Sequence, residues 1–158
     1  MHQNAALQAE FSVSLLHLAR AWRRSADESM AEFGLSEATG GVLIQIHRTG
    51  QGMRQGTVAD MLGIEGPSLV RLLDQLCAAG LVCRQEDRAD RRAKTLHLTQ
   101  AGTALAVRIE AVLAELRPVL LAGVSAADLD ACLRVFRIVG GTVGWTCPIP
   151  ARLTEPAR

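Results

Sequence analysis

Reactive side chains in this sequence do not form the patterns that enzymes or metal sites need. The four cysteines have no CxxC spacing and the four histidines are scattered, which argues against a zinc site or a disulfide framework. No serine lies in a GxSxG setting, and the GQG sequence at Gly50 lacks the Lys-Ser/Thr that would follow in a phosphate-binding loop. We therefore predict that the protein is not an enzyme and has no metal ion or cofactor.

Arginine is the side chain that could do chemistry here, and it falls in two short stretches. The first is the Gly66-Pro67-Ser68 start of a predicted helix that also carries Arg71, and the second is the charged run 86–94, EDRADRRAK. Guanidinium groups fork onto base edges and pair with phosphates, so both stretches could contact nucleic acid. The ratio of Arg to Lys, 16 to 1, adds little, because a GC-rich genome explains it better than phosphate recognition does.

Composition predicts one mainly helical domain to position these arginines. The chain has 158 residues, a net charge of +1 and 49% hydrophobic residues, so it is long enough to bury a core and too apolar to be disordered. Leu and Ala are abundant and only five residues are aromatic, which favours helices over sheets. The longest uncharged stretch, 138–151, is too short to cross a membrane, and the first thirty residues do not resemble a signal peptide. We therefore expect a cytoplasmic protein.

Apolar spacing of three and four residues predicts helices along most of the chain. A long first helix occupies 5–33, a second occupies 36–48, and two more occupy 99–121 and 125–143. The predicted caps of these helices are Gly34, Ser36, Thr99 and Ser125. The segment 50–56 is predicted to be a Gly-rich loop.

A helix-turn-helix is predicted between the second helix and the last two. A short helix at 57–62 ends at Gly63, where the turn needs the positive φ that glycine adopts without strain, and another helix follows from Gly66. An αα-hairpin in a helical bundle would explain these positions equally well. Strand-like runs at 81–85 and 95–98 follow directly, however, and a hairpin after a helix-turn-helix is typical of a winged helix.

The charged run 86–94 lies at the tip of this predicted wing. A solvated loop is the usual explanation for such a run, but its position after a helix-turn-helix favours DNA contact. We therefore predict a mainly α fold with a small β-hairpin wing (α+β), that is, a winged helix-turn-helix with long terminal dimerisation helices. The apolar stripes of the terminal helices exceed what one winged helix can cover, which indicates a homodimer.

Two segments resemble the MarR family of winged-helix repressors, and most closely its SlyA branch. They are GIEGPSLVRLLDQL (63–76) and DRADRRAKTLHLT (87–99), and the resemblance covers 15–139 in one register. It implies a sequence-specific transcriptional regulator, most simply a repressor, that binds a pseudo-palindromic operator in double-stranded DNA as an obligate homodimer. It also implies release from the operator by a small phenolic or aromatic carboxylate.

The resemblance further implies a division of the chain and a set of DNA contacts. The chain would be a single domain, 1–158, with the winged helix at about 36–99, dimerisation helices at 5–33 and 100–145, and a flexible tail at 148–158. The residues expected to contact DNA are Thr57, Pro67, Ser68, Val70, Arg71, Gln75, Arg88, Asp90 and Arg91.

Three of these residues have a clear physical role. Arg71 lies one turn into the recognition helix, where a guanidinium can fork onto guanine O6 and N7. Ser68 near the start of that helix can meet a phosphate, and Arg91, oriented by Asp90, suits a narrow minor groove. The alternative explanations are interactions within the protein: Arg71 with Asp74 or Gln75, and Arg91 with Asp87.

The expected effector pocket lies on the first two helices. Gly40 and Ile44 stand where the SlyA branch has a Trp and a His, so we expect a wider or differently shaped pocket, and the identity of the effector cannot be transferred. Arg23 on the first helix and His47 on the second are the candidates for holding a carboxylate. Alternatively, both side chains simply close the interface between the helices.

Thiol-based redox sensing is the alternative function for a regulator of this fold. Some MarR-like regulators sense oxidants through a cysteine in the first helix, but this chain has no cysteine before Cys77. Cys77 and Cys83 are predicted to be small core hydrophobes, which leaves Cys147 in the tail as the reactive candidate.

Overall fold

The computed structural model describes residues 2–50, 52–87, 89–90 and 92–145, and their side chains from residue 4 onward. Its helices are α1 (His2–Met30), α2 (Glu37–Thr49), α3 (Gln55–Leu62), α4 (Gly66–Ala78), α5 (Gln100–Leu120) and α6 (Ala126–Val143). Its strands are β1 (Met53–Arg54), β2 (Val82–Glu86) and β3 (Lys94–Leu98), and a 3-10 turn, Ala31–Phe33, continues α1. The mainly helical fold with a small sheet that the sequence predicts is confirmed.

The long helices begin and end at the predicted caps. Gly34 adopts φ +67° after the 3-10 turn, and Ser36 caps α2 in a capping box with Thr39. Thr99 and Ser125 accept hydrogen bonds from backbone N–H groups in the first turns of α5 and α6. These side chains satisfy N–H groups that a helix leaves unpaired at its start, so local sequence sets the boundaries.

The predicted helix-turn-helix is formed by α3 and α4. Gly63 adopts φ +63° in the turn between them, and Pro67 lies in the first turn of α4, where its missing N–H costs nothing. Val58 and Leu69 are fully buried on the inner face that the two helices share.

The strands β2 and β3 form the predicted hairpin, and β1 joins it on the free side of β3. The strand order is β1-β3-β2, and neighbours are antiparallel. Val82 lies opposite Leu98 at the base of the hairpin, and Glu86 lies opposite Lys94 near its tip. The hairpin, here called the wing, therefore follows α4 directly along the chain.

The prediction of a loop at 50–56 is wrong in part. Met53 and Arg54 form β1, and α3 begins directly after them. Gly52 adopts φ +86°, and its N–H donates to the Leu96 carbonyl oxygen at 2.9 Å. A strand of two residues shows no alternation of apolar and polar side chains, so its pairing with β3 leaves no pattern in the sequence.

The hydrophobic core lies inside the winged helix. The side chains of Val58, Leu69, Leu73, Leu76 and Leu96 are at most 1% exposed, and they come from α3, α4 and β3. The buried face of α2 joins the same core. This packing fixes the position of α4 relative to the sheet.

The start of α5 is in close contact with the loop before β2. The Thr99 hydroxyl donates to the Gly80 carbonyl oxygen at 2.7 Å, and the Thr99 backbone N–H donates to the Leu81 carbonyl oxygen at 3.0 Å. A Cβ atom on Gly102 would lie 2.0 Å from this Leu81 oxygen, so no larger residue fits without a backbone shift. The winged helix is therefore tied to α5 at this point.

Much of the apolar surface of α1, α5 and α6 is uncovered. On α1, Ala26 and Met30 are buried, but Phe11, Leu15 and Trp22 are 36–40% exposed. The large apolar side chains that are exposed on α6 are Leu133, Val135, Phe136, Ile138, Val139 and Val143. No helix in the described part of the chain is nevertheless long and apolar enough to cross a membrane. Exposed apolar stripes of this extent are uncommon on the surface of a monomeric soluble protein.

Candidate functional site

The helix α4 has a buried apolar face and an exposed face. Leu69, Leu73 and Leu76 are spaced by four and three residues and are buried. The expected DNA-contacting residues on the exposed face are Pro67, Ser68, Val70, Arg71 and Gln75. Thr57 is exposed on α3. The structure therefore brings five of the expected residues together on one accessible helix face.

The N-terminus of α4 is open to a ligand. Its N-cap residue, Glu65, makes no side-chain capping hydrogen bond, and Ser68 is exposed in the first turn. The N–H groups at the start of a helix, with the helix dipole, attract anions such as phosphate. This end of α4 can therefore hold a phosphate group beside the Ser68 hydroxyl.

Arg71 is exposed and has no ion-pair partner among the described residues. Asp74 does not pair with it; an Asp74 carboxylate oxygen instead accepts a hydrogen bond from Nη1 of Arg84, on β2, at 2.7 Å. Nη2 of Arg84 donates to the Val70 carbonyl oxygen at 3.2 Å. Arg84 is a residue that our sequence analysis missed.

Asp87 shapes the base of the wing tip. Its carboxylate accepts the backbone N–H of Ala89 and the Nε–H of Arg54, on β1, each at 2.7 Å. The hydrogen bond from Ala89, and then the one from Arg54, hold the pKa of Asp87 below its ordinary value. The Asp87 carboxylate therefore stays charged and joins the wing to β1.

Asp90 turns the chain at the tip of the wing. Its carboxylate accepts the backbone N–H of Arg92 at 3.0 Å, and its carbonyl oxygen accepts the N–H of Ala93 at 2.8 Å. Arg92 is exposed. Arg88 and Arg91 lie outside the described residues, and so do the expected contact of Arg91 with Asp90 and its alternative pairing with Asp87.

A second candidate site is a cavity of about 1200 Å³ between α1, α2 and α5. Its apolar lining includes Trp22, Ala26, Met30, Leu113 and Leu116. Of the four residues expected in an effector pocket, Ile44 and His47 line this cavity, whereas Arg23 and Gly40 do not. The structure therefore assembles only half of the expected set.

Arg23 and Gly40 have other surroundings. Arg23 is exposed on α1. A Cβ atom on Gly40 would lie 2.4 Å from the Met30 sulfur, so Met30 fills the space that a larger side chain at position 40 would take. The missing side chain at Gly40 therefore does not widen the cavity.

Two arginines that line the cavity are held by one carboxylate. Arg48, on α2, donates through Nε and Nη2 to the two carboxylate oxygens of Glu110, on α5, at 2.5 and 3.1 Å, and Arg117 donates to one of them at 3.3 Å. Burial raises the pKa of Glu110, but the hydrogen bonds from Arg48 and Arg117 outweigh it and lower the pKa overall. This cluster ties α2 to α5, and none of its three residues is among those expected from the sequence.

Three of the four cysteines lie in the part of the chain that the structure describes. Cys77 and Cys83 are half-buried on α4 and β2, and burial raises the pKa of the Cys77 thiol, which disfavours the reactive thiolate. Cys132 is exposed on α6, and Cys147 lies outside the described residues. In the part of the chain that the structure describes, no three His, Cys, Asp or Glu side chains gather to hold a metal ion.

Two solved structures below 25% identity share this fold. The transcriptional regulator SlyA is 19% identical, with a TM-score of 0.76, over 84% of this chain and 93% of that one. The MepR–DNA complex of S. aureus is 20% identical, with a TM-score of 0.74, over 84% of this chain and 97% of that one. Identities this low indicate a common fold and do not single out the SlyA branch.

Closer similarity identifies the family. The model of the MarR family matches residues 33–93, which run from the 3-10 turn through α4 into the wing. The solved transcriptional regulator PA3341 is 35% identical, with a TM-score of 0.79, over 85% of this chain and 98% of that one. The chain belongs to the MarR family.

Proposed function

We propose that the protein is a sequence-specific regulator of transcription that binds double-stranded operator DNA as a homodimer, most simply as a repressor. The observation that carries this proposal is the exposed face of α4, on which Arg71 has no ion-pair partner among the described residues. An α-helix fits the major groove of B-DNA, where each base pair presents a distinct set of donors and acceptors. The MepR–DNA complex supports the proposal by analogy of fold.

The DNA-contacting residues divide into base readers and phosphate binders. Arg71 forks onto guanine O6 and N7, with Val70 and Gln75 on the same face available to neighbouring bases. Ser68 and the open N-terminus of α4 hold a phosphate, with Pro67 and Thr57 at the edge of the contact.

The wing is proposed to reach the adjacent minor groove. Arg91 enters the groove, Asp90 orients it and Arg88 adds positive charge. A guanidinium suits a narrow minor groove because the negative potential there is strong. The fixed shape of the wing base, in which Asp87 is bound to Arg54 and Ala89, supports a defined approach to DNA.

The homodimer is supported by the uncovered apolar surface of the terminal helices. Phe11, Leu15 and Trp22 on α1 and Leu133 and Phe136 on α6 are 36–45% exposed in the single chain. Burying such side chains against a second copy stabilises the dimer by about 25 cal/mol for each Å² of apolar surface that is removed from water. A two-fold dimer presents two α4 helices to DNA, so its operator is an inverted repeat with half-sites about one helical turn apart or a multiple of it.

A small aromatic carboxylate is the proposed effector, and the cavity between α1, α2 and α5 is its site. The apolar lining suits an aromatic ring, and Ile44 and His47 lie in that lining. The guanidinium groups of Arg48 and Arg117 take the role that Arg23 was expected to have, but Glu110 already occupies them. The effector carboxylate therefore has to replace or share the contacts of Glu110.

Selection from a random-sequence duplex library by the wild-type protein tests DNA binding. We expect enrichment of one inverted repeat, called here the enriched duplex, and an affinity for it that falls steeply with salt because phosphates are neutralised. The scrambled duplex of the same composition is the control. A protein that enriches no sequence, or that binds both duplexes equally, would refute sequence-specific regulation.

Calorimetric titration with hydroxylated benzoates and pyridine carboxylates tests the effector. A ligand that lowers the affinity of the protein for the enriched duplex must itself bind more weakly when that duplex is present, and by the same factor. We expect Arg48→Ala to lose ligand binding and Arg23→Ala to keep it, since Arg23 does not line the cavity. Equal ligand affinity with and without DNA would refute this form of regulation.

A further inference from the structure

Arg84 is a strand residue whose guanidinium is bound to the recognition helix. From β2, its Nη1 donates to an Asp74 carboxylate oxygen at 2.7 Å and its Nη2 donates to the Val70 carbonyl oxygen at 3.2 Å. Its Nε is buried and has no hydrogen-bond partner among the described residues. Arg84 therefore links the first strand of the wing to one turn of α4.

The two groups that Arg84 binds bracket Arg71. Val70 precedes Arg71, and Asp74 follows it by three residues, a spacing at which opposite charges pair on a helix surface. The Asp74 carboxylate is bound to Arg84 instead, and Arg71 is exposed without an ion-pair partner among the described residues. Freed from Arg84, Asp74 would be the nearest carboxylate on α4 able to neutralise Arg71.

We infer that Arg84 is a positioning residue for DNA recognition. It fixes the turn of α4 that carries Arg71 against the wing, and it withholds Asp74 from Arg71. The inference rests on the proposed function, because it gives Arg84 a role in how α4 and the wing meet one DNA. The Arg84 and Asp74 side chains are 27% and 59% exposed, so this half-exposed pair contributes less to folding stability than a buried one. We expect the main consequence of losing it in DNA binding.

Binding of the enriched and scrambled duplexes by Arg84→Gln, Asp74→Asn and the double variant tests the inference. We expect Arg84→Gln to weaken binding of the enriched duplex about tenfold and to change binding of the scrambled duplex little. In the Arg84→Gln background, Asp74→Asn should recover part of that loss, because no carboxylate then competes for Arg71. Arg84→Lys should also recover part of it, since an ammonium can hold Asp74 but lacks the fork that also reaches Val70.

The controls separate positioning from folding and from direct DNA contact. Arg134→Gln removes an arginine and its ion pair with Asp130 on α6 and should leave both affinities unchanged. Thermal denaturation of each variant checks that the fold is kept, and Arg84→Lys carries the test if Arg84→Gln does not fold. If Arg84 itself contacted a phosphate, Arg84→Gln would weaken binding of both duplexes. It would also reduce the steepness of the plot of log affinity against log salt by about 1.

Different results would refute the role of Arg84 and the proposed function on which it rests. A wild-type protein that enriches no sequence refutes the proposed function, and the role of Arg84 falls with it. With an enriched duplex in hand, a selective loss in Arg84→Gln that Asp74→Asn partly reverses supports the inference. Equal loss on both duplexes, wild-type affinity in Arg84→Gln, or no recovery in the double variant would overturn it.

Discussion

Replacing Glu110 by Gln is expected to loosen the contact between α2 and α5. The variant loses the charge that holds Arg48 through two hydrogen bonds and Arg117 through one. The Arg48 and Glu110 side chains are 23% and 26% exposed, so the cluster lies between exposed pairs, worth about 0–1 kcal/mol, and buried pairs, whose disruption costs about 3–5 kcal/mol. We expect Glu110→Gln to lower the free energy of unfolding at pH 7 by about 1–3 kcal/mol.

The loss is expected to depend on pH. Although burial raises the pKa of Glu110, the hydrogen bonds from Arg48 and Arg117 lower it overall in the folded protein. A carboxyl whose pKa is lowered by folding stabilises the protein fully above the unfolded value, about 4.5, and this stabilisation is lost as the pH falls through the folded pKa. Gln does not titrate, so the difference between wild type and variant should shrink below about pH 4.5.

Urea denaturation at one fixed protein concentration and several pH values measures this difference. Glu115→Gln is the matched control, because Glu115 is exposed on α5 and has no ion pair among the described residues. Its free energy of unfolding should change by less than about 0.5 kcal/mol. Equal destabilisation by the two substitutions, or a wild-type advantage that persists unchanged at low pH, would refute the role given to Glu110.

Three further substitutions test the packing and the DNA contact, and two measurements on the wild-type protein test the dimer. Gly102→Ala should lower the free energy of unfolding by about 1–3 kcal/mol, because its Cβ would overlap the Leu81 carbonyl oxygen. Gly56→Ala, in open space on α3, should raise the free energy of unfolding by up to about 1 kcal/mol. Urea denaturation compares the two variants. Arg71→Ala should cost about 1–3 kcal/mol of binding to the enriched duplex and relax preference at one base pair per half-site, which competition with single-base variants measures. The melting temperature should rise with protein concentration, and sedimentation of a folded monomer at micromolar concentration would contradict the dimer.

Features with a local cause were predictable from the sequence. Ser36, Thr99 and Ser125 each meet a backbone N–H within three residues, so the caps follow from residue type and position alone. The turn at Gly63 follows from the conformational freedom of glycine.

Contacts between distant segments could not be predicted. Arg48 and Glu110 are 62 residues apart, and spacing along the chain does not select one carboxylate among several for a given arginine. Arg84 lies in a short strand, and the residues of α4 that it contacts depend on how this helix packs against the sheet. The expected pocket lay on the first two helices, whereas the cavity lies between α1, α2 and α5. Met30 beside Gly40 and the exposure of Arg23 depend on side-chain packing in three dimensions.

Methylation protection of the enriched duplex tests the central claim most directly, because dimethyl sulfate attacks guanine N7 in the major groove. The account predicts two protected patches about 10 base pairs apart or a multiple of that spacing, one for each α4 of the dimer. It also predicts that Arg71→Ala, at a concentration that saturates the duplex, uncovers one guanine in each patch. A single patch, or the same protection by wild type and Arg71→Ala, would contradict the claim that two copies of α4 read the operator through Arg71.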